Sequence, residues 1–417
     1  MIIIYNIAQI LLIILVWPLI ALTIAVRPRH WGHILKRLGW GLCPDRRKEP
    51  GKKTVWVHAL SVGEVTSSLP LVAGIRKDLD VELVFSATTR TGTRMAAEII
   101  APHVDRLIPY PIDIIFVILH FIRIIRPDLF ILVETDFWPN QLAALQRKKI
   151  PTLLVNGRIS GKSMDSYRRF GFFFRPLFNS FSALGMQTAE DGRRLTAMGI
   201  DAGKIVNLGN LKFDSQPSSV IESGGNWPSA IRILAGSTHR GEEEMLMLAY
   251  GELKKAGRNL SLVIAPRDIA RSPEVVRLAT SLGLETSCRS QGWPDHQPDL
   301  LILDTIGELA ACYRTCDIAF TGGSLVDEGG HNPLEPAVAG VPVLFGPHME
   351  DFAEVASEMI AAGGAIRVAD ADALFHSLER LVDDSALRQA TGQAAAAYVR
   401  GKQGVVGNHL DLIRKYL

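Results

Sequence analysis

Several acidic and basic residues stand where short apolar runs end, which is where a parallel sheet presents ligand-binding loops. The run Thr54 to Leu60 leads into Ser61-Val62-Gly63-Glu64. Gly63 permits a tight turn, and a helix starting there would aim its first N–H groups at an anionic ligand. A lone carboxylate in that place can take a proton from an attacking hydroxyl. Glu64 is equally at home as a first-turn residue favoured by the helix dipole. A second run, Asp128 to Asn140, carries Glu134 and Asp136, which can buttress a site or bind sugar hydroxyls; Asp136 can also serve as an N-cap, and Pro139 suits the first helical turn. Arg267, in Ala265-Pro266-Arg267, offers a guanidinium fork for phosphate or carboxylate. Asp304-Thr305-Ile306-Gly307-Glu308-Leu309 combines a glycine turn with a helix start. Gly322-Gly323-Ser324, followed by Gly329-Gly330-His331-Asn332-Pro333-Leu334-Glu335-Pro336, reads as a glycine-rich loop whose N–H groups can approach phosphate oxygens. In it Asn332 can cap the helix and Glu335 can accept both ribose hydroxyls, while His331 is either a structural loop histidine or a catalytic one.

Other chemistries are excluded. Ile159-Ser160-Gly161-Lys162-Ser163 has the ending of a phosphate-binding P-loop, but Asn156 occupies the place of its first glycine. No GxGxxG follows a strand, HExxH is absent and no DxD stands in a convincing metal-site context, so catalysis is expected to use cationic side chains and helix dipoles, with no metal and no cofactor. Of Cys43, Cys288, Cys312 and Cys316, the last two are one helical turn apart with no partners for a zinc site; they read as small buried apolar residues in a reducing compartment.

The elements that must position these residues alternate strand and helix, the mark of an α/β fold with parallel sheets. Apolar runs recur at Glu82 to Thr88, Pro151 to Asn156, Ser182 to Gln187 and Ile205 to Leu208, with helices expected over Trp138 to Lys149 and Ala189 to Met198. A polar Ser/Gly/Pro stretch, Ser215 to Ser229, reads as a linker, after which the alternation restarts at Ile231, Leu260, Leu300, Asp317 and Pro342. At 417 residues, two Rossmann-like domains facing a cleft are expected. A hydrophobic fraction of 47% and a charged fraction of 21% suit a globular body, and a net charge of +2 argues against a nucleic-acid partner. Met1 to Val26 carries no charge and is long enough to span a bilayer. Nine Lys and Arg residues between Arg27 and Lys53 then place the rest of the chain in the cytoplasm by the positive-inside rule. Ile112 to Ile125 is too short to span and is expected as a buried or interfacial helix. Six phenylalanines between Phe170 and Phe181, beside Arg168, Arg169 and Arg175, form either an interfacial patch for anionic lipid or an ordinary core helix.

Eight segments in order resemble the 3-deoxy-D-manno-octulosonic acid (Kdo) transferases of lipid A assembly: HALSVGEV (58–65), ILVETDFWPN (131–140), VNGRIS (155–160), GNLKFD (209–214), LAGSTHRGEEE (234–244), APR (265–267), DTIGEL (304–309) and GGSLVDEGGHNPLEP (322–336). The resemblance covers nearly the whole chain. It implies a GT-B fold: an anchor at 1–26, an acceptor domain at 27–215, a nucleotide-sugar donor domain at 216–395, and a C-terminal helix within 396–417 that crosses back to the first domain. It implies inverting transfer of Kdo from CMP-Kdo to a tetraacylated lipid A precursor at the cytoplasmic side of the inner membrane. Carried over by motif, Glu64 is similar to the general base, and Glu134 and Lys212 to residues assisting the transition state. Pro266, Arg267, Gly307, Glu308, Leu309, Asn332, Pro333, Leu334 and Glu335 are similar to the CMP site. Three positions depart from the family pattern. Asp268 stands where His is common, Asp136 where Glu is common, and Gly157 where Ala is usual. Two competing functions are a nucleotide-sugar epimerase on the same two-domain fold, for which an anchor has no use, and a silent sugar-binding scaffold, for which Glu64 and the 330–335 loop have none.

Overall fold

The computed structural model describes residues 2–26, 31–43, 51–134, 137–159, 161–214, 231–294 and 296–417, with backbone alone at 17–26, 31, 33, 161 and 162. The chain divides into two compact units, Met1–Ser215 with Gly404–Leu417, and Gln216–Gln403. Asp136 and the Ser215 to Ser229 linker lie outside the described residues.

The first unit holds a seven-stranded sheet of β1 (Lys53–Ala59), β2 (Val81–Ala87), β3 (Arg106–Pro109), β4 (Leu129–Val133), β5 (Thr152–Gly157), β6 (Ala183–Met186) and β7 (Ile205–Asn207). Their order is β3-β2-β1-β4-β5-β6-β7, and neighbours run parallel. Helices cover a parallel sheet on both faces, so its central strands read as unbroken apolar runs rather than alternating ones. Strands β2, β4 and β5 are accordingly buried along their whole length. The winding direction reverses between β1 and β4. That switch point is where an open α/β sheet leaves a crevice beyond the strand ends.

The helix Val405–Arg414 packs in this unit. Asp214 accepts Gly404 N–H at 2.9 Å and Val406 N–H at 2.6 Å, which fixes the start of the helix. The expected short apolar helix forms over Ile115–Ile125, with Ile118, Phe121, Ile122 and Ile125 buried and Phe116 79% exposed. The phenylalanine patch divides: Phe178 and Phe181 enter the core beside Trp56 and Phe130, while Phe172 is 77% exposed.

Residues Ile2–Val26 form one helix. Among the described residues no helix is long and apolar enough to cross a membrane, so the spanning segment expected from the sequence is not shown. The described part of the helix instead makes polar contacts with its own unit. Tyr5 Oη donates to Asp113 Oδ2 at 3.0 Å and Gln9 Nε2 to the Asp113 carbonyl at 2.9 Å, while Asn6 Oδ1 accepts from Asn140 Nδ2 at 2.8 Å.

The second unit repeats the architecture with β8 (Ile231–Thr238), β9 (Leu260–Pro266), β10 (Thr286–Cys288), β11 (Leu300–Ile302), β12 (Ile318–Thr321), β13 (Val343–Phe345) and β14 (Ala365–Arg367). Their order is β10-β11-β9-β8-β12-β13-β14, again parallel between neighbours, with the reversal between β8 and β12. Cys312 and Cys316 are free and half-buried rather than fully enclosed.

Candidate functional site

The first unit brings its acidic candidates to the switch point. Glu64 lies four residues past Leu60 at the end of β1, and Glu134 directly follows β4. Glu64 is held from both sides: Leu60 N–H donates to Oε2 at 2.6 Å and Ser61 Oγ to Oε1 at 3.3 Å, while Ser61 caps the helix Val62–Asp78 by accepting Glu64 N–H. The first-turn role is therefore real, and it leaves the half-buried carboxylate fixed at the sheet's mouth. Beneath it, His58 is fully buried, stacks on Tyr110 with ring centroids 3.5 Å apart, and bonds the Ser86 carbonyl through Nδ1 at 3.0 Å. Burial pushes His58 down to about 3, so it is a neutral core group.

Glu134 adopts φ 60°, and Asn156, at the end of the adjacent β5, adopts φ 54°. Both are in the left-handed region that side chains other than glycine seldom occupy, and such conformations gather at functional sites. Asn156 Nδ2 donates to Glu134 Oε1 at 3.3 Å, and Asn156 Oδ1 accepts Leu211 N–H at 3.0 Å. The Leu211–Asp214 turn carries Lys212. Burial raises the Glu134 carboxyl above its ordinary range, against the opposing fields of Lys212 and Arg158 and the bond from Asn156. The structure thus gathers Glu134, Lys212, Arg158 and Asn156. Asn156 carries no expected role, because an Asn ending an apolar run looks like a turn residue; its place in the VNGRIS segment and its tolerance of left-handed backbone are the signals it offers.

In the second unit the candidates fall into loops after β8, β9, β11 and β12. Arg267, exposed at the end of β9, donates its N–H to the Thr238 carbonyl at 3.0 Å. Asp268 turns back on its own chain, its Oδ1 accepting Ala270 N–H at 3.0 Å as cap of the turn Ile269–Arg271. Gly307 has φ 90°. The Glu308 carboxylate is engaged by Arg289, Nε to Oε2 at 2.8 Å, and the Glu308 backbone carbonyl accepts Ala311 N–H at 3.1 Å. Asn332 Oδ1 accepts Leu334 N–H at 3.1 Å and its Nδ2 donates to Glu335 Oε1 at 3.2 Å. Burial raises the Glu335 carboxyl, partly offset by that bond.

The glycine-rich loop differs from the sequence reading in one respect. The N–H groups of Gly323, Ser324 and Leu325 do not await phosphate. They donate to the Glu242 carboxylate at 2.8, 2.9 and 3.0 Å, and His239 N–H joins them at 2.9 Å. Glu242 is 0% exposed and serves as an internal anion that shapes the loop. Sequence could not single it out, because Glu242, Glu243 and Glu244 all suit the first turn of Glu242–Lys255 through the helix dipole. Glu243 is spoken for separately, receiving Arg271 Nη1 at 3.0 Å.

A family model for "3-Deoxy-D-manno-octulosonic-acid transferase (kdotransferase)" matches residues 32–215. The 3-deoxy-D-manno-octulosonic acid transferase of Haemophilus influenzae is 31% identical over 404 residues, covering 94% of this chain and 92% of that protein. Among solved structures, a glycosyltransferase from Rickettsia africae superposes with a TM-score of 0.57 at 16% identity, covering 88% of this chain and 99% of the other. UDP-GlcNAc 2-epimerase from Neisseria meningitidis gives a TM-score of 0.60 at 14% identity, covering 86% and 100%. At those identities the structures speak for fold alone, two parallel α/β units of the GT-B kind. The sequence relationship to the Haemophilus enzyme extends over both units and carries more: the chain belongs to the Kdo transferase family, a family of glycosyltransferases.

Proposed function

We propose that the protein transfers Kdo from CMP-Kdo to a tetraacylated lipid A precursor with inversion at the anomeric carbon, in lipopolysaccharide synthesis. The observation that carries this reading is the group at the first switch point: Glu64 fixed by Leu60 N–H, beside strands whose ends hold Glu134, Asn156 and the Lys212 turn. Glu64 takes the proton of the acceptor hydroxyl, the freed oxygen attacks the anomeric carbon of Kdo, and the bond to phosphate breaks with its electron pair leaving on CMP. Charge then separates at two places. Lys212 and Arg158 counter the Kdo carboxylate beside the reacting carbon, and Arg267 counters the departing phosphate. The second unit holds CMP through Pro266 and Arg267, the 307–309 turn and Asn332 to Glu335.

The acceptor's acyl chains explain the apolar features of the first unit. A charge-free 25-residue helix followed by basic residues supports attachment at the cytoplasmic face of the inner membrane. Phe116, Leu119, His120, Arg123, Arg126 and Lys148 border a cavity of about 710 Å³, an apolar floor with a basic rim suited to an anionic acylated lipid. The test is incubation of the protein with CMP-Kdo and tetraacyl lipid A precursor, followed by mass spectrometry. A mass gain of one or more Kdo units supports the proposal and counts the sugars added; an unchanged acceptor contradicts it.

A further inference from the structure

The loops that leave β8 and β12 flank the strand reversal of the second sheet, and they touch. A Cβ on Gly322 would lie 2.3 Å from the Ser237 carbonyl oxygen, so only glycine allows the approach. Each loop contributes one histidine to the junction. His239 and His331 meet edge to edge, with ring planes 14° apart, centroids 5.1 Å apart and Nε2 atoms 2.9 Å from each other. Both backbones are fixed: His239 N–H is bound by Glu242, and His331 N–H donates to the Gly322 carbonyl at 3.1 Å. Arg267 follows from the end of β9, one strand away, and Asn332 follows His331 directly.

A 2.9 Å contact between two imidazole nitrogens requires one to carry hydrogen and the other to accept it. The pair therefore holds two ring protons when neutral and three when charged, and a fourth would break the bond. The charged groups around it divide in sign. Burial and the Arg267 cation hold His331 down at about 4. Glu328 Oε1 stands 3.9 Å from His239 Nδ1, on the side of the pair away from its partner ring. Arg240, Arg271, Glu274 and Glu328 line, with His239, a cavity of about 440 Å³; Arg240 is paired with Glu274 at 2.7 Å and Arg271 with Glu243 at 3.0 Å, which leaves Arg267 as the principal cation opposing the proton.

We propose that His239 and His331 form, with Arg267, the anion-receiving part of the donor site, and that the pair takes up a proton when the donor phosphate arrives. The inference rests on the CMP reading above. A phosphate seated against Arg267 cancels the field that Arg267 exerts on His331 and accepts a hydrogen bond from the ring that takes the proton. Anion binding and proton binding thus favour each other, as linkage requires.

The test is calorimetric titration of CMP into the full-length protein at about pH 7.5, where a phosphate monoester with a second pKa near 6 is already a dianion. Two buffers of different ionisation enthalpy give the proton count. The expected result is uptake of a measurable fraction of one proton by the wild type and none by His239→Gln. The affinity of that variant for CMP should be weaker by roughly ten-fold, the loss expected for one charge-assisted hydrogen bond. His331→Gln should behave alike, and it serves if the first variant does not fold. Binding of CMP by the wild type without proton uptake overturns the inference and spares the donor-site reading, as does an unchanged count in the folded variants. No binding of CMP at all sinks the donor-site reading, and the inference with it.

Discussion

Asn156 joins Glu134 to the Lys212 turn through one carboxamide, donating to Glu134 Oε1 at 3.3 Å and accepting Leu211 N–H at 3.0 Å, while both strand-end residues hold left-handed backbone. The two ends of that side chain align an acid and a base supplied by segments more than fifty residues apart. Asn156→Ala should therefore cost about 2–4 kcal/mol, from a buried N–H left unpaired and a left-handed residue without the tolerance of Asn. Urea unfolding gives the stability and a transfer assay the activity, which should fall at least about ten-fold. A variant with wild-type stability and rate would show that Asn156 aligns nothing.

One substitution separates the proposed base role of Glu64 from its hydrogen bond to Leu60 N–H. Glu64→Gln keeps an oxygen for Leu60 N–H and so should unfold within about 1 kcal/mol of wild type, yet it has no basic carboxylate, and kcat should drop by roughly 10²–10⁴-fold. Glu64→Ala removes both, and should lose helix-start stability in addition. Equal kinetic and stability losses in the Gln variant would reduce Glu64 to a cap.

Glu242 should matter without touching a ligand. Glu242→Gln replaces one acceptor oxygen with a donor that faces backbone N–H groups, so the amides of Gly323, Ser324 and Leu325 lose partners in a buried place. Hydrogen exchange over the 322–331 loop should speed up by at least about ten-fold, with CMP affinity weakened in step. Unchanged protection there would contradict the internal-anion role.

Acid should unfold the first unit through its histidines. Burial holds His58 at about 3 and His409 at about 4, both depressed from 6.5. Each contributes stability that is fully present above pH 6.5, because both states are then neutral. As pH falls from there toward about 4 the unfolded chain takes protons the native state refuses, and stability drops by up to about 1.4 kcal/mol per pH unit for each histidine. His409→Gln should flatten that slope in urea titrations, and an identical slope in the variant would refute the assignment.

Much of the fold was legible because parallel strands buried on both faces must be apolar at their centres, and the β1, β4, β5, β8 and β9 segments are, with polar residues at their ends. The short edge strands β3 (Arg106–Pro109), β10 (Thr286–Cys288) and β14 (Ala365–Arg367) were missed, since three or four half-covered residues leave no pattern to read. Strand-end acids such as Glu64 and Glu134 stood out because loops follow strands in sequence. What holds them did not: Asn156 depends on a backbone conformation, and Glu242 on a loop eighty residues later. His239 and His331 meet only because Gly322 lets two loops approach. The polar contacts of Tyr5, Asn6 and Gln9 were hidden within a segment whose overall apolarity suggested lipid.

The proposed activation of the acceptor hydroxyl by Glu64 is open to direct measurement. Wild type and Glu64→Gln, each saturated with CMP-Kdo, should be mixed with tetraacyl lipid A precursor and the products weighed by mass spectrometry over time. Kdo-bearing lipid is expected from the wild type, and from the variant a rate lower by at least about a hundred-fold with CMP binding intact. Transfer by the variant at the wild-type rate, or no transfer by either, would contradict it.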